Sequence, residues 1–308
     1  MSLPDLSDTP LSRIIPELER RLHSADTVAF LILDPDLCRG AYAGERLSLD
    51  EKRYLCRSWR SWNDLALELD CRLLTPERYD ERRLLLRMEK LRHDRTFHRE
   101  EREEKYDPRS TFARIRKNEE PAFYLPYFRA LKRLRVENRE RILALGPNRG
   151  DELEPIVSSG FQGEILGIDL NEAALREAKR RFGSLLRTCV HDLNRLEELP
   201  PERFDLILSI GTLQSPDIEL KPFLMHLVQE RLTPGGAILL GWPNARWRDG
   251  ELLYGARPRH YPFSELSLVI KDLFWIKKYL QQHKFRVVIT GREYLFLEAT
   301  RIGMRNEE

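Results

Sequence analysis

The residues of this sequence best placed to do chemistry are two aspartates and a glycine-bearing bend. An apolar run, RILALG (141–146), ends in Gly146-Pro147-Asn148-Arg149-Gly150, and Asp151 follows. Glycines let a backbone turn tightly and approach a ligand. The free amides of a helix opening at Asp151 would favour an anion such as a carboxylate. Asp169 closes the next apolar run, EILGIDL (164–170). It lies about 20 residues past the bend, the spacing at which an acid accepts hydrogen bonds from the two hydroxyls of a nucleoside ribose. Each such bond to a charged group is worth about 1.5–3 kcal/mol. The plainer alternative is a cap on the helix that opens near Asn171. Asp192 closes a third run, LLRTCVHDL (185–193), where a carboxylate can accept from the exocyclic amine of a base or simply serve a turn.

These residues need strand ends to position them. Beyond 141, short apolar runs alternate with helical patterns: FDLILSIG (204–211) and AILLGWP (237–243) are further strands, and 171–182, 223–231 and 264–283 are helices. Leu232-Thr233-Pro234-Gly235-Gly236 is expected to turn the chain into the fifth strand. Such alternation predicts a mainly parallel sheet with helices on both faces. FRVVITG and YLFLEATR, joined at 291–293, form a hairpin that would add an antiparallel edge strand. Ligands bind outside the carboxyl ends of such strands, which is where the bend and both aspartates fall.

The N-terminal part reads differently. A helix is expected over 11–23 and a strand over 27–33. A long helix is expected over 48–70, with Ser48 and Glu51 as a capping box and Tyr54, Leu55, Trp59, Trp62, Leu65 and Leu69 as its apolar stripe. Residues 78–117 carry 14 Lys/Arg and 9 Asp/Glu. They read as a solvated, ion-paired segment, or as a positive surface for an anionic substrate such as RNA. PAFYLPYFRALKRL (121–134) is a helix whose Tyr124 and Tyr127 could form a lid or pack in a core. The division expected is a helix-rich accessory or substrate domain over 1–118 and a second domain over 119–308.

The ordered set ILALGPNRGDE, GEILGIDLNEAAL, VHDLN, RFDLILSIGTLQ and LTPGGAILLGWPN resembles the class I S-adenosylmethionine (SAM) dependent methyltransferases, over residues 120–308 or so. The resemblance implies an α/β, Rossmann-like sheet of seven mostly parallel strands with the last antiparallel, and SAM as cofactor. Gly146, Asn148 and Gly150 would lie under the methionine part of SAM. Asp169 would hold the ribose, Asp192 the adenine amine, and Leu170 and Leu193 would pack on the adenine. Ser209, Ile210 and Gly211 would close the floor. Two positions depart from the family: Ala144 stands where an acid is usual, and Asn148 replaces the middle glycine. The methionine ammonium is then left to backbone carbonyls or to another carboxylate, with Asp151 the candidate.

Methyl transfer needs mainly an aligned nucleophile. Candidates for the acceptor side are Thr212, Gln214, Trp242, Asn244, His260 and Tyr261, with Asn244, His260 and Tyr261 the catalytic choices and His191 or His260 a possible base. No NPPY-type motif follows the fourth strand, and no Pro-Cys nucleophile marks C5-pyrimidine methylation. The expected acceptor is an O or N nucleophile of a small metabolite, a protein or an RNA, with small molecule or protein favoured over nucleic acid. A SAM-binding but inactive interaction module is the alternative, on the strength of Ala144 and Asn148. An NAD-binding oxidoreductase is the second, although GPNRGD is not GxGxxG and none of the ten tyrosines has Lys four residues later.

Composition narrows the classes. The 308 residues are 41% hydrophobic and 33% charged with net charge +2, which fits a globular chain without the basic excess of a dedicated nucleic-acid module. HExxH, GxxxxGK[ST] and GxSxG are absent, and the four cysteines show no CxxC spacing, so no metal is expected. No apolar run approaches the roughly 20 residues of a membrane span. The N-terminus lacks a basic region followed by an apolar one, so the expected location is the cytoplasm.

Overall fold

A computed structural model describes residues 3–91, 116–215, 217–248, 251–256 and 265–302. The chain divides into two compact units, Met1–Arg99 and Glu100–Glu308.

The first unit is organised by sheet. Strands β1 (Thr27–Leu33), β4 (Cys71–Leu73), β5 (Glu77–Arg78) and β6 (Arg83–Lys90) form one antiparallel sheet in which β6 pairs with the other three. Helices α1 (Leu11–Ser24) and α2 (Trp59–Glu68) cover it, burying Ile14, Leu18, Trp62 and Leu65 with Phe30, Leu86 and Met88. The helix expected over 48–70 is instead a hairpin, β2 (Arg46–Leu49) and β3 (Lys52–Leu55), followed by α2. Its two-residue loop explains the difference. Asp50 and Glu51 both have positive φ (47° and 63°), as a tight hairpin turn requires. Ser58, not Ser48, caps the helix, its Oγ accepting from the Ser61 amide at 3.2 Å. Helix therefore does not dominate this part of the chain. The basic stretch 78–117 begins as β5 and β6, and its greater part, 92–115, lies outside the described residues.

The second unit holds a seven-stranded sheet: β7 (Arg141–Leu145), β8 (Glu164–Asp169), β9 (Leu186–Val190), β10 (Phe204–Ile210), β11 (Leu232–Pro243), β14 (Phe285–Gly291) and β15 (Tyr294–Arg301). The order is β14-β15-β11-β10-β7-β8-β9, parallel except for β15, which runs antiparallel to both neighbours. The last strand is thus inserted inside the sheet, and the edge expected of it belongs to β14. A short hairpin, β12 (Ala245–Arg248) with β13 (Glu251–Tyr254), follows β11 and has no counterpart in the sequence reading.

Strand alternation builds two cores. Leu143 and Leu145 face one side with Leu166, Ile168, Ile207, Ile238 and Leu240. That side is covered by α6 (Leu220–His226) and α7 (Leu266–Gln282). Ile142 and Ala144 face the other, under α3 (Pro121–Arg133), α4 (Glu154–Ser158) and α5 (Glu172–Phe182). Ala144 is therefore a core residue, 1% exposed, where a carboxylate would be buried without a partner. Among the described residues no helix is long and apolar enough to cross a membrane.

Candidate functional site

The carboxyl ends of β7, β8, β9 and β10 lie along one edge, and Asp169 ties the loop after β7 and the end of β9 to the end of β8. Its Oδ2 accepts from the Asn148 amide and its Oδ1 from the Asn171 amide, both at 2.9 Å. Its carbonyl accepts from the His191 amide at 3.1 Å, which joins the end of β9 to the end of β8. Asp169 is thus not the helix cap: Asn171 caps α5, its Oδ1 taking the Ala174 amide. Asn148 sits in the left-handed region (φ 48°), which asparagine tolerates better than most residues. This accounts for its replacing glycine and turns its amide toward Asp169. The anion-binding helix expected at Asp151 is absent; a 3₁₀ turn (Asp151–Leu153) leads into the five-residue α4.

Asp192 Oδ1 accepts from the Asn194 amide at 2.9 Å and caps the turn Leu193–Glu198. Asn194 ties that turn to the loop after β10, donating to the Asp217 carbonyl at 2.8 Å. Leu170 is 68% exposed beside Asp169, whereas Leu193 is buried. Ser209 is buried, with its Oγ toward the Leu145 carbonyl at 3.4 Å, and Ile210 is buried beneath Gly211.

Gly146 has φ +66°, and a Cβ there would stand 2.3 Å from Thr212 Oγ1, which itself donates to the Gly146 carbonyl at 3.2 Å. Gly146→Ala is expected to destabilise the chain by about 1–3 kcal/mol, through both the left-handed backbone and this overlap. Adding Thr212→Ala should recover part of the loss; urea denaturation of the single and double variants measures it.

Three groups that the sequence reading missed stand at the same edge. A Cβ on Gly211 would meet Tyr294 Oη at 2.7 Å and Lys117 Nζ at 3.3 Å, and Lys117 Nζ lies 5.2 Å from the Tyr294 ring centre. Tyr294 is buried, and among the described residues its hydroxyl has no hydrogen-bond partner. Burial, then Glu152, hold that hydroxyl far above its usual range, so it remains a donor. The Glu152 carboxyl is pushed up to about 8, chiefly by burial; Lys117 draws it down, while Asp151 and Asp169 push it further up. Glu152 is one residue past the expected Asp151. Asp151 is instead committed to Arg181 at 2.6 Å and Arg116 at 3.5 Å. The Asn118 side-chain amide donates to the Asp151 carbonyl at 2.7 Å, and Tyr127 Oη donates to the Glu152 carbonyl at 2.8 Å. Tyr127 is fully buried and therefore packs in the core.

The acceptor candidates are scattered. Trp242 belongs to the core with α7. The Asn244 side-chain amide donates to the Arg292 carbonyl at 2.8 Å, which ties down the β14–β15 turn. Gln214 is exposed. His191 Nε2 is bonded to the Arg195 carbonyl at 2.7 Å, which leaves it poorly placed as a base. His260 and Tyr261 lie outside the described residues.

Residues 143–238 match a protein family described as a methyltransferase domain. Over that span the chain is similar to a methyltransferase domain. The match favours methyl transfer over the NAD reading. No curated protein matches the chain. Among solved structures, it is similar to an O-methyltransferase family protein from Burkholderia thailandensis at 16% identity, over 55% of this chain and 53% of that one (TM-score 0.42). It thus spans about half the length of that relative. It is also similar to a SAM-dependent methyltransferase from Aquifex aeolicus at 19% identity, over 62% and 98% (TM-score 0.43). A third is the 1,6-didemethyltoxoflavin-N1-methyltransferase of B. thailandensis with bound S-adenosylhomocysteine, at 20% identity over 61% and 82% (TM-score 0.41). At these values none of them bears on what this methyltransferase domain acts upon.

The side chains present fit SAM on their own chemistry. Carboxylates stand at two adjacent strand ends, an exposed leucine lies next to one of them, and a buried hydroxyl without a partner among the described residues lies beside Gly211. Among the described residues no cluster could hold a metal ion.

Proposed function

We propose that the domain binds SAM along this edge and moves its methyl to an O or N nucleophile by in-line displacement. The observation that carries the reading is Asp169 bridging the Asn148 loop and the start of α5 while its end of the sheet is bonded to that of β9. In this reading Asp169 holds the ribose hydroxyls and Asp192 the adenine amine, with Leu170 and Leu193 against the base. Gly146, Asn148 and Gly150 underlie the methionine, and Ser209, Ile210 and Gly211 form the floor. Glu152 takes the ammonium in place of Asp151, because Asp151 is occupied by two arginines. Lys117 and the Tyr294 hydroxyl face the carboxylate end.

Bound SAM supplies a methyl already activated by its sulfonium charge. The residues of the chain have then to hold the nucleophile in line and exclude water, work that can account for about 7–11 kcal/mol of a barrier. A general base is required only for an acceptor that must lose its proton early. His260, Tyr261 and Asn244 remain the proposed acceptor-side residues, with Asn244 acting on the position of the β14–β15 turn. Residues 1–118 are proposed to serve the acceptor, although 116–118 pack on the methyltransferase unit through Asn118. The acceptor is proposed to be a small molecule or a protein rather than a nucleic acid.

The test is tritiated methyl transfer from SAM into fractionated cell extract, with Asp169→Asn as the control. Label entering one fraction with the unaltered chain alone supports the reading. No label in any fraction, with SAM binding intact, favours the inactive module.

A further inference from the structure

Cys38 and Cys56, in the first unit, are two free thiols in direct contact. Cys38 ends a 3₁₀ turn (Pro35–Cys38), and Cys56 follows the last residue of β3. Backbone bonds fix both positions. Asp34 Oδ1 caps the turn by accepting from the Asp36 amide at 3.0 Å, and the Ala41 amide donates to the Cys38 carbonyl at 3.1 Å. The Cys56 amide donates to the Glu45 carbonyl and its carbonyl accepts from the Gly44 amide, each at 2.8 Å. The two side chains share a small core with Leu33 and Tyr54, and the Cys56 thiol hydrogen-bonds Cys38.

The pair is not symmetric. Cys38 is 8% exposed and Cys56 only 1%. Both line a cavity of about 390 Å³ whose charged walls are Asp36, Arg39, Arg57 and Arg60. Asp36 pairs with Arg39 at 3.5 Å, and Arg60 pairs with Asp64 at 3.4 Å. Arg57 is buried, donates to the Thr9 carbonyl at 2.6 Å, and pairs with no carboxylate among the described residues. Burial draws its pKa down and Cys38 draws it up, so the two side chains lie close enough for charge to be felt between them. The Cys56 thiol is pushed up to about 12, first by burial and then by Cys38, and stays protonated. One sulfur therefore stands at the cavity wall beside a cation, and the other is a neutral thiol behind it. That is the division of roles between a cysteine that reacts with a peroxide and one that resolves the product.

We propose that Cys38 and Cys56 form a peroxide-sensitive modification site, in which a hydroperoxide entering the cavity oxidises Cys38 and Cys56 then closes a reversible disulfide. The Cys38 thiolate attacks one peroxide oxygen. The O–O bond breaks, hydroxide leaves and takes up the proton that Cys38 gave, and the sulfur becomes a sulfenic acid. The Cys56 sulfur next attacks the Cys38 sulfur. The S–S bond forms, the S–O bond breaks, and the oxygen leaves as water with the Cys56 proton. Two thiols and one hydrogen peroxide thus give one disulfide and two waters. The sulfurs have only to close from hydrogen-bond distance to about 2.05 Å. This site stands whether or not the methyl-transfer reading does.

The experiment exposes the full chain to hydrogen peroxide, alkylates the remaining thiols after denaturation and weighs the tryptic peptides. Peptides 22–39 and 54–57 are expected to appear linked, lighter by two hydrogens, and to separate on reduction with dithiothreitol. Cys71, whose Sγ donates to the Leu69 carbonyl at 3.2 Å, and Cys189, which is more exposed than either member of the pair, should still be alkylated. In Cys56→Ser no link forms, and Cys38 should take up dimedone, a trap for sulfenic acids. In Arg57→Met the link should form at least about tenfold more slowly. Oxidation of Cys189 while Cys38 and Cys56 are still alkylated separately overturns the proposal. So does dimedone labelling of Cys56 in Cys38→Ser as fast as that of Cys38 in Cys56→Ser, or an unchanged rate in a folded Arg57→Met. The peptides of the unaltered chain decide the matter alone if a variant does not fold.

Discussion

Asp169→Asn is expected to weaken S-adenosylhomocysteine binding by about 100- to 1000-fold, the largest single effect in the molecule. Two contributions act together. The variant loses charge-assisted bonds to the ribose, worth about 1.5–3 kcal/mol each. It also places an NH₂ group against either the Asn148 or the Asn171 amide, both of which the carboxylate now accepts at 2.9 Å. The second contribution appears without ligand, as a loss of about 1–3 kcal/mol in urea denaturation. Asp192→Asn should cost only about tenfold in affinity, because the Asn oxygen can still cap the Asn194 amide. Calorimetric titration of both variants separates them, and equal losses would contradict the division of roles.

Glu152→Gln is expected to act in opposite directions on stability and on binding. The folded carboxyl titrates near 8, well above the ordinary carboxylate range, because burial disfavours its charge. The folded chain therefore binds this proton more tightly than the unfolded chain does. Below the unfolded pKa the two forms are equivalent. As pH rises from about 4.5 to about 8, the unaltered chain loses stability relative to the glutamine variant, by roughly 5 kcal/mol at pH 9. Glu152→Gln should thus be the more stable protein at pH 9 and indistinguishable at pH 4. SAM affinity should behave inversely. In the unaltered chain it rises from pH 6 to pH 8 as the carboxylate forms beside the ligand's ammonium, and in Glu152→Gln this rise disappears. Thermal unfolding and calorimetry over that range measure both. A pH-dependent rise that survives in the variant would place the ammonium elsewhere.

Much of this site was legible because strand ends are. The apolar runs closing at Leu145, Asp169 and Ile210 became β7, β8 and β10, and alternation within them set which side chains entered which core. The spacing from bend to Asp169 carried real information, since the carboxylate does reach back to the bend. What pattern could not supply is direction. Asp151 and Glu152 are adjacent acids, and only the positions of Arg116 and Arg181 decide which one turns outward. Tyr294 reads as the first residue of a final strand. It reaches the site because β15 runs backwards beside β11, pairing Tyr294 with Pro243. The hairpin at 46–55 was lost for a different reason: Ser48 and Glu51 satisfy a helix-capping pattern, and the left-handed backbone at Asp50 and Glu51 leaves no mark in periodicity. Trp242 and Asn244 look like acceptor groups by type and place, yet packing under α7 and a turn carbonyl claim them.

A crystal structure of the chain with S-adenosylhomocysteine would show directly which side chains hold the cofactor. The ribose hydroxyls are expected on Asp169, the adenine amine on Asp192 and the ammonium within hydrogen-bond distance of Glu152. Adenosine bound with Asp169 and Asp192 directed into separate clefts, or seated away from the ends of β7 and β8, would contradict these assignments.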